Sequence, residues 1–315
     1  MSKQLVRFYS IFLILTLLLA QFGVRPAAAD TIFTVNSTAD KVDANPGDGS
    51  CQTDTTDECT LRAAIQEANA LPGADTILID LEGIYTLTME GTGEDLAATG
   101  DLDITENLII TGAGMTKTII DANGLDRAFH QLGGSLTLSD LTIQNGLANP
   151  GGGLLVDGVS RLENYGQATV SRVAFADNRA TSDASDGTGG GIYVTDWGSA
   201  TISQSTFTSN EGFYGGGAVA SSSNGAVFSI TDSTFDSNTS HFGGGALYPN
   251  GGIHSVWNST FTNNSADTGG AIHSNATSVT VSNSTFVGNS ATNHGAIDSR
   301  VGNITVQYST FYNNV

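Results

Sequence analysis

Residues 261–297 read FTNNSADTGGAIHSNATSVTVSNSTFVGNSATNHGAI, and two short signatures alternate along them. Phe261 and Asn264 are followed by Gly269-Gly270-Ala271-Ile272, then Phe286 and Asn289 by His294-Gly295-Ala296-Ile297. Working outward, Phe-x-x-Asn recurs at Phe175/Asn178, Phe207/Asn210, Phe235/Asn238 and Phe311/Asn314, so successive Phe lie 32, 28, 26, 25 and 25 positions apart. A β-branched residue stands five places before each Phe: Val170, Ile202, Ile230, Val256, Val281 and Val306. The Gly signature returns at Gly189 to Ile192, Gly216 to Val219 and Gly244 to Leu247, with a looser copy at Gly151 to Leu154.

A period near 25 residues holds three short strands and three turns, one rung of a parallel β-helix. Rungs stack about 4.8 Å apart, so equivalent side chains form ladders along the axis. The Phe column reads as an interior stack and the Asn column as an amide ladder in a turn, while the paired Gly supply positive φ at a tight corner. Val281 and Phe286 have opposite parity, so the strand must bend between them for both to point inward. Leucine-rich repeats share the period but not the pattern, and a propeller blade needs about 40 residues. Upstream, Thr76 to Asp80, Leu108 to Thr111, Thr118 to Asp121 and Leu136 to Ile143 are short β-type runs between Gly and Asx turns.

The two alternating signatures resemble the polymorphic outer membrane protein repeat, over roughly residues 150 to 315. That resemblance implies a right-handed parallel β-helix (solenoid), all-β and of the pectin lyase-like kind, on a bacterial cell surface or outer membrane. It also implies an adhesive or structural role with an extracellular polysaccharide or surface protein as partner. The general preference of parallel crossovers gives the same hand. Val315 directly follows a motif, without a polar cap or anchor sequence, and the expectation is a fragment or a truncated reading frame.

The 315 residues carry 11 basic and 31 acidic groups, a net charge of −20, which excludes a phosphate-binding, nucleic-acid partner. Charged residues are 13% of the chain against about 25% in an ordinary domain, and 39 glycines exceed the usual share of about 7%. Lys3 and Arg7 precede the apolar run Ile11 to Ala20, and Ala27, Ala28 and Ala29 form a small-residue site. Residues 1–29 therefore read as a signal peptide cleaved after Ala29, and Gln21, Arg25 and Pro26 end the run too early for a membrane anchor. The mature chain keeps 8 basic and 31 acidic groups, no membrane span, and a surface that attracts Ca²⁺ or cationic partners.

Residues 30–74 read as an N-terminal cap. Cys51 and Cys59 are the only cysteines of an exported chain, so a disulfide is the default. Thr60 caps a helix on which Leu61, Ala64, Ile65 and Ala68 share one face, and Leu71-Pro72-Gly73 ends it. Cys59-Thr60-Leu61-Arg62-Ala63-Ala64 and the following Ile65 to Asn69 resemble the CSLREA domain of exported bacterial proteins, with Thr60 for Ser and Ala63 for Glu. The loop containing Asp43, Asn45 and Asp48 has the donors for Ca²⁺, but no EF-hand spacing, and an Asx- and Gly-rich turn, which needs no ion, is the favoured reading. A Ca²⁺-stabilised scaffold is accordingly one functional alternative.

A polysaccharide lyase or glycoside hydrolase is the other. A lyase needs a base and cations, yet from residue 141 onward only Arg161, Arg172, Arg179 and Arg300 are cationic, and no ladder holds two of them. An inverting hydrolase needs two spaced carboxylates, for which Asp183, Asp186 and Asp196 are the candidates. No catalytic constellation emerges. Register places Tyr193, Ala220, Tyr248, His273 and Asp298 in one column just after the inward aliphatic, hence facing outward. Tyr193, Tyr248, His273 and Asp298 are thus the candidate binding strip for sugar, with a merely solvated face as the plainer reading. The expected function is an exported, surface-exposed structural or adhesive module. His130, His241, His254 and His294 show no metal-ligand spacing.

Overall fold

A computed structural model describes residues 30–158, 165–180 and 188–315. The segment 1–29 read as a signal peptide, with its expected cleavage after Ala29, lies outside the described residues, as do Arg161, Asp183 and Asp186. The chain is a parallel β-solenoid with one helix among the described residues, and its strands form sheets of 17, 8 and 5 members. No helix among the described residues is long and apolar enough to cross a membrane.

The largest sheet wraps around a corner. Ser135–Gln144 and Gln167–Ala176 run through that corner as ten-residue strands, paired from Gln167↔Ser135 to Ala176↔Gln144. Later rungs divide the same path in two, as in Ser278–Ser282 and Thr285–Val287. Between those halves Asn283 adopts φ 50°, and Arg172, Gln204, Asp232, Asn258 and Tyr308 do the same in the other rungs. This bend places both Val281 and Phe286 in the core at full burial, as their parity requires. The rings from Phe175 to Phe311 stack with centroids 4.7–4.9 Å apart and planes within 5°.

The Asn column is an unbroken ladder from Asn178 to Asn314. Each backbone N–H and side-chain Nδ2 donates to Oδ1 of the next Asn at 2.9–3.1 Å, and Nδ2 also donates to a Phe carbonyl, as Asn238 does to Phe207 O. A polar core of this kind is acceptable because its amides are satisfied. A parallel Ser column, Ser205, Ser233, Ser259, Ser284 and Ser309, accepts N–H bonds from rung to rung beside it.

The eight-stranded sheet runs from Leu102–Ile104 to Ile297–Ser299, with Ile192, Val219, Leu247, Ile272 and Ile297 in successive register. Its inward aliphatics close the core, and its middle column faces outward. At the N-terminal end, Ile32–Thr34 pairs with Thr76–Leu78, so part of the segment read as a cap is already a solenoid strand. The helix Leu61–Ala70 is capped by Thr60, whose side chain accepts from Ala63 N, and it ends at Leu71. Its Leu61, Ala64, Ile65 and Ala68 are buried, and Cys51 and Cys59 form a disulfide beside it with Cα atoms 5.2 Å apart.

Candidate functional site

The outward column of the eight-stranded sheet is built from rung register. Tyr193 pairs with Ala220, Ala220 with Tyr248, and His273 with Asp298, while Leu247↔Ile272 sets Tyr248 beside His273. Tyr248 and His273 stack with centroids 5.7 Å apart and planes 3° apart. His273 Nδ1 lies 2.7 Å from Asp298 Oδ2. Three of the four candidates therefore meet, and Tyr193 stands beyond Ala220, outside the groove that the others line.

That groove, about 570 Å³, is completed by residues from the Gly corner. Tyr214 packs edge-on to Tyr248 at 6.2 Å and against Phe242 at 5.5 Å. Phe213 continues the aromatic surface to Phe242 and to His241, whose ring is stacked on it at 4.5 Å. The sequence reading did not single out Tyr214 or Phe242. Their signal was present, because Phe213-Tyr214 and His241-Phe242 each immediately precede a Gly run at the same offset. Arg300 also lines the groove. Arg172 is paired with Asp140 and Arg179 with Glu211, whereas no ion pair holds Arg300 among the described residues. His294 takes φ 66° at its corner and brings Nδ1 to 3.6 Å from Asp298 Oδ1.

Two histidines thus flank one carboxylate. Burial pushes the His273 pKa below the usual imidazole value, against the pull of Asp298, with Arg300 and His294 adding to the depression. The imidazole is neutral near pH 7, with the Asp298 carboxylate close beside it. Burial raises the Tyr248 pKa, so the phenol keeps its proton. Neutral donors, a carboxylate, a guanidinium and aromatic faces suit the hydroxyls and apolar ring faces of a sugar.

The other candidates are engaged locally. Asp196 accepts from Ser222 and, at 2.7 Å, from Asn224 Nδ2 of the neighbouring rung. All four carboxylate oxygens of Asp43 and Asp48 accept N–H donors, from Asn45, Gln52 and Ser50. Glu67 of the helix accepts from Gly47 and Gly49, fastening that loop.

Compared with known families, residues 258–275 match the Chlamydia polymorphic membrane protein repeat. No curated protein and no solved structure matches the chain. The matched stretch runs from the Phe261 and Asn264 ladders through the Gly corner to His273, which is one wall of the groove. The chain is therefore a parallel β-solenoid carrying a rung similar to that repeat.

Proposed function

We propose that this chain is the surface-exposed solenoid module of an exported bacterial protein and that it binds an extended glycan across the groove. The observation that carries the reading is the aromatic wall of Tyr214, Phe242, Tyr248 and His273, set beside Asp298 and Arg300. Similarity to a polymorphic membrane protein repeat supports a bacterial surface or outer-membrane location. The charged N-terminal segment ending at Ala29 supports export, and the CSLREA resemblance supports a cap role for residues 30–74. The calcium reading of Asp43, Asn45 and Asp48 has less support, because a turn already uses those carboxylates.

A glycan array with and without Ca²⁺, followed by a product assay on every hit, tests the proposal. The expected result is binding without turnover that weakens at least tenfold in Tyr248→Ala, about 1.4 kcal/mol. Release of reducing or unsaturated sugars assigns the groove to an enzyme instead. Binding untouched by Tyr248→Ala and His273→Ala removes the groove as the site.

A further inference from the structure

A second His–Asp pair occupies the other end of the same outward column. Asp103 and His130 are register partners on the eight-stranded sheet, as His273 and Asp298 are. Their surroundings differ. Around the first pair, residues 88–101 fold over the sheet and are tied down from both sides. Thr88 and Met89 donate to Asp40, Gly100 N donates to Met89 O, and Arg62 holds the carbonyls of Ala97, Gly100 and Asp101. This cover brings Asp95 to the pair and takes Asp103 to 0% exposure.

The buried carboxylate is only half satisfied. Asp103 Oδ2 accepts from Ala97 N at 2.9 Å, but no hydrogen bond from the described residues reaches Oδ1. His130 Nδ1 lies 3.3 Å from that oxygen without the alignment of a hydrogen bond, and His130 Nε2 is buried without a partner too. The neighbouring guanidiniums face other carboxylates: Arg127 Nη1 lies 2.7 Å from Asp101 Oδ2, its Nε having no hydrogen-bond partner among the described residues, and Arg62 Nε lies 2.6 Å from Asp40 Oδ1. Removing a carboxylate from water without a compensating charge is strongly unfavourable, so this arrangement calls for a cation. One ligand atom each from Asp95, Asp103 and His130 lies within 4.8 Å of the others. Ligands on a single ion with bonds of about 2.0–2.2 Å sit about 3–4.4 Å apart, a gap that rotation of the exposed Asp95 closes.

We propose that Asp95, Asp103 and His130 bind a divalent transition cation of the Zn²⁺ class. Two carboxylates neutralise the dication, and the imidazole nitrogen favours Zn²⁺ over Ca²⁺ and Mg²⁺, which take oxygen ligands. Bound there, the ion pins segment 88–101 and the capping helix, which shares that segment through Arg62, onto the first solenoid rungs.

Calorimetric titration of the purified full chain with Zn²⁺ at pH 7 tests this, together with melting curves. The expected result is one ion per chain and a melting temperature about 5 °C higher at roughly a hundred times the dissociation constant. Asp95→Asn removes an exposed carboxylate and leaves the fold intact, and it is expected to weaken Zn²⁺ binding at least tenfold; His130→Gln is expected to do the same. Hydrogen exchange in segment 88–101 is expected to slow with Zn²⁺ in the parent chain and not in Asp95→Asn. Absence of Zn²⁺ binding overturns the proposal, as does a response to Ca²⁺ alone. Binding that persists in Asp95→Asn but vanishes in His294→Ala places the ion at the other His–Asp pair and also overturns it.

Discussion

Single residues decide whether the groove exists. Gly243 has no positive φ, so conformational freedom is not what the position demands. An ideal Cβ there would stand 2.7 Å from His273 Cδ2 and 3.0 Å from Cγ, because the His273 ring lies back over the corner. Gly215 is the corresponding seat for the Tyr248 ring, at 2.7 Å. Gly244 is different, since its φ of 64° is the corner itself. Gly243→Ala should therefore displace the imidazole while costing only about 1–3 kcal/mol of stability. Glycan affinity falling at least tenfold in a variant with a native circular dichroism spectrum would bear this out. At the other end, Arg62 is fully buried, with Asp40 on Nε and three carbonyls on its other nitrogens. Arg62→Met leaves Asp40 buried without its partner and is expected to cost about 3–5 kcal/mol, read from the urea midpoint.

At the scale of the rung, stability is carried by ladders, and each ladder makes its own prediction. Asn238→Ala removes the acceptor for Asn210 N and Nδ2 and the donor to Phe207 O, leaving buried polar groups short of partners. A loss of about 2–4 kcal/mol in chemical denaturation follows. His254 is the odd member of the core, pointing inward from Ile253–Trp257 at 1% exposure. Its Nε2 meets Gly251 O at 3.0 Å and its Nδ1 accepts from Phe228 N at 3.2 Å, which requires the neutral ring. Burial pushes its pKa down to about 4, with only a weak opposing pull from the Gly251 carbonyl. Above the unfolded value near 6.5, neither state is protonated at this site and His254 contributes no pH dependence. Between about 6.5 and 4, the unfolded chain binds a proton that the folded chain refuses, so stability falls by about 1.4 kcal/mol per pH unit. In His254→Gln the midpoint should vary less steeply with pH across that window, even though the variant is less stable throughout. The Phe and Asn ladders were legible in the sequence because they repeat at a fixed offset, and so was the column of Tyr248, His273 and Asp298. The Ser column repeats two places before each Phe from Phe207 onward, with Val173 at that offset before Phe175, and was equally available there. Tyr214, Phe242 and Arg300 reach the groove from the corner and from the turn after the strand, which strand parity does not address. Asp95 joins Asp103 and His130 only through the irregular segment 88–101, which has no period to read.

For the whole molecule, the parallel solenoid makes contact local, since each rung packs on its two neighbours. Both His–Asp pairs lie on one sheet, yet they sit at opposite ends of an eight-strand stack. Energetic effects at separated sites without shared partners add independently, so damage in the groove rungs should not reach the N-terminal end. Phe261→Ala tests this directly. Its ring lies between Phe235 at 4.8 Å and Phe286 at 4.7 Å, so truncation opens a cavity in the stack and costs about 3–5 kcal/mol. Residue 261 also shares a rung with His273. Hydrogen exchange should therefore quicken through residues 235–297 and glycan binding should weaken, because opening free energies differ between local cooperative units. The strands Ala74–Ile79 and Leu102–Ile104, with the helix packed on them, should keep their protection. Parallel loss of protection in those strands would mean that the solenoid unfolds as one cooperative body, and nearest-neighbour reasoning about its two ends would fail.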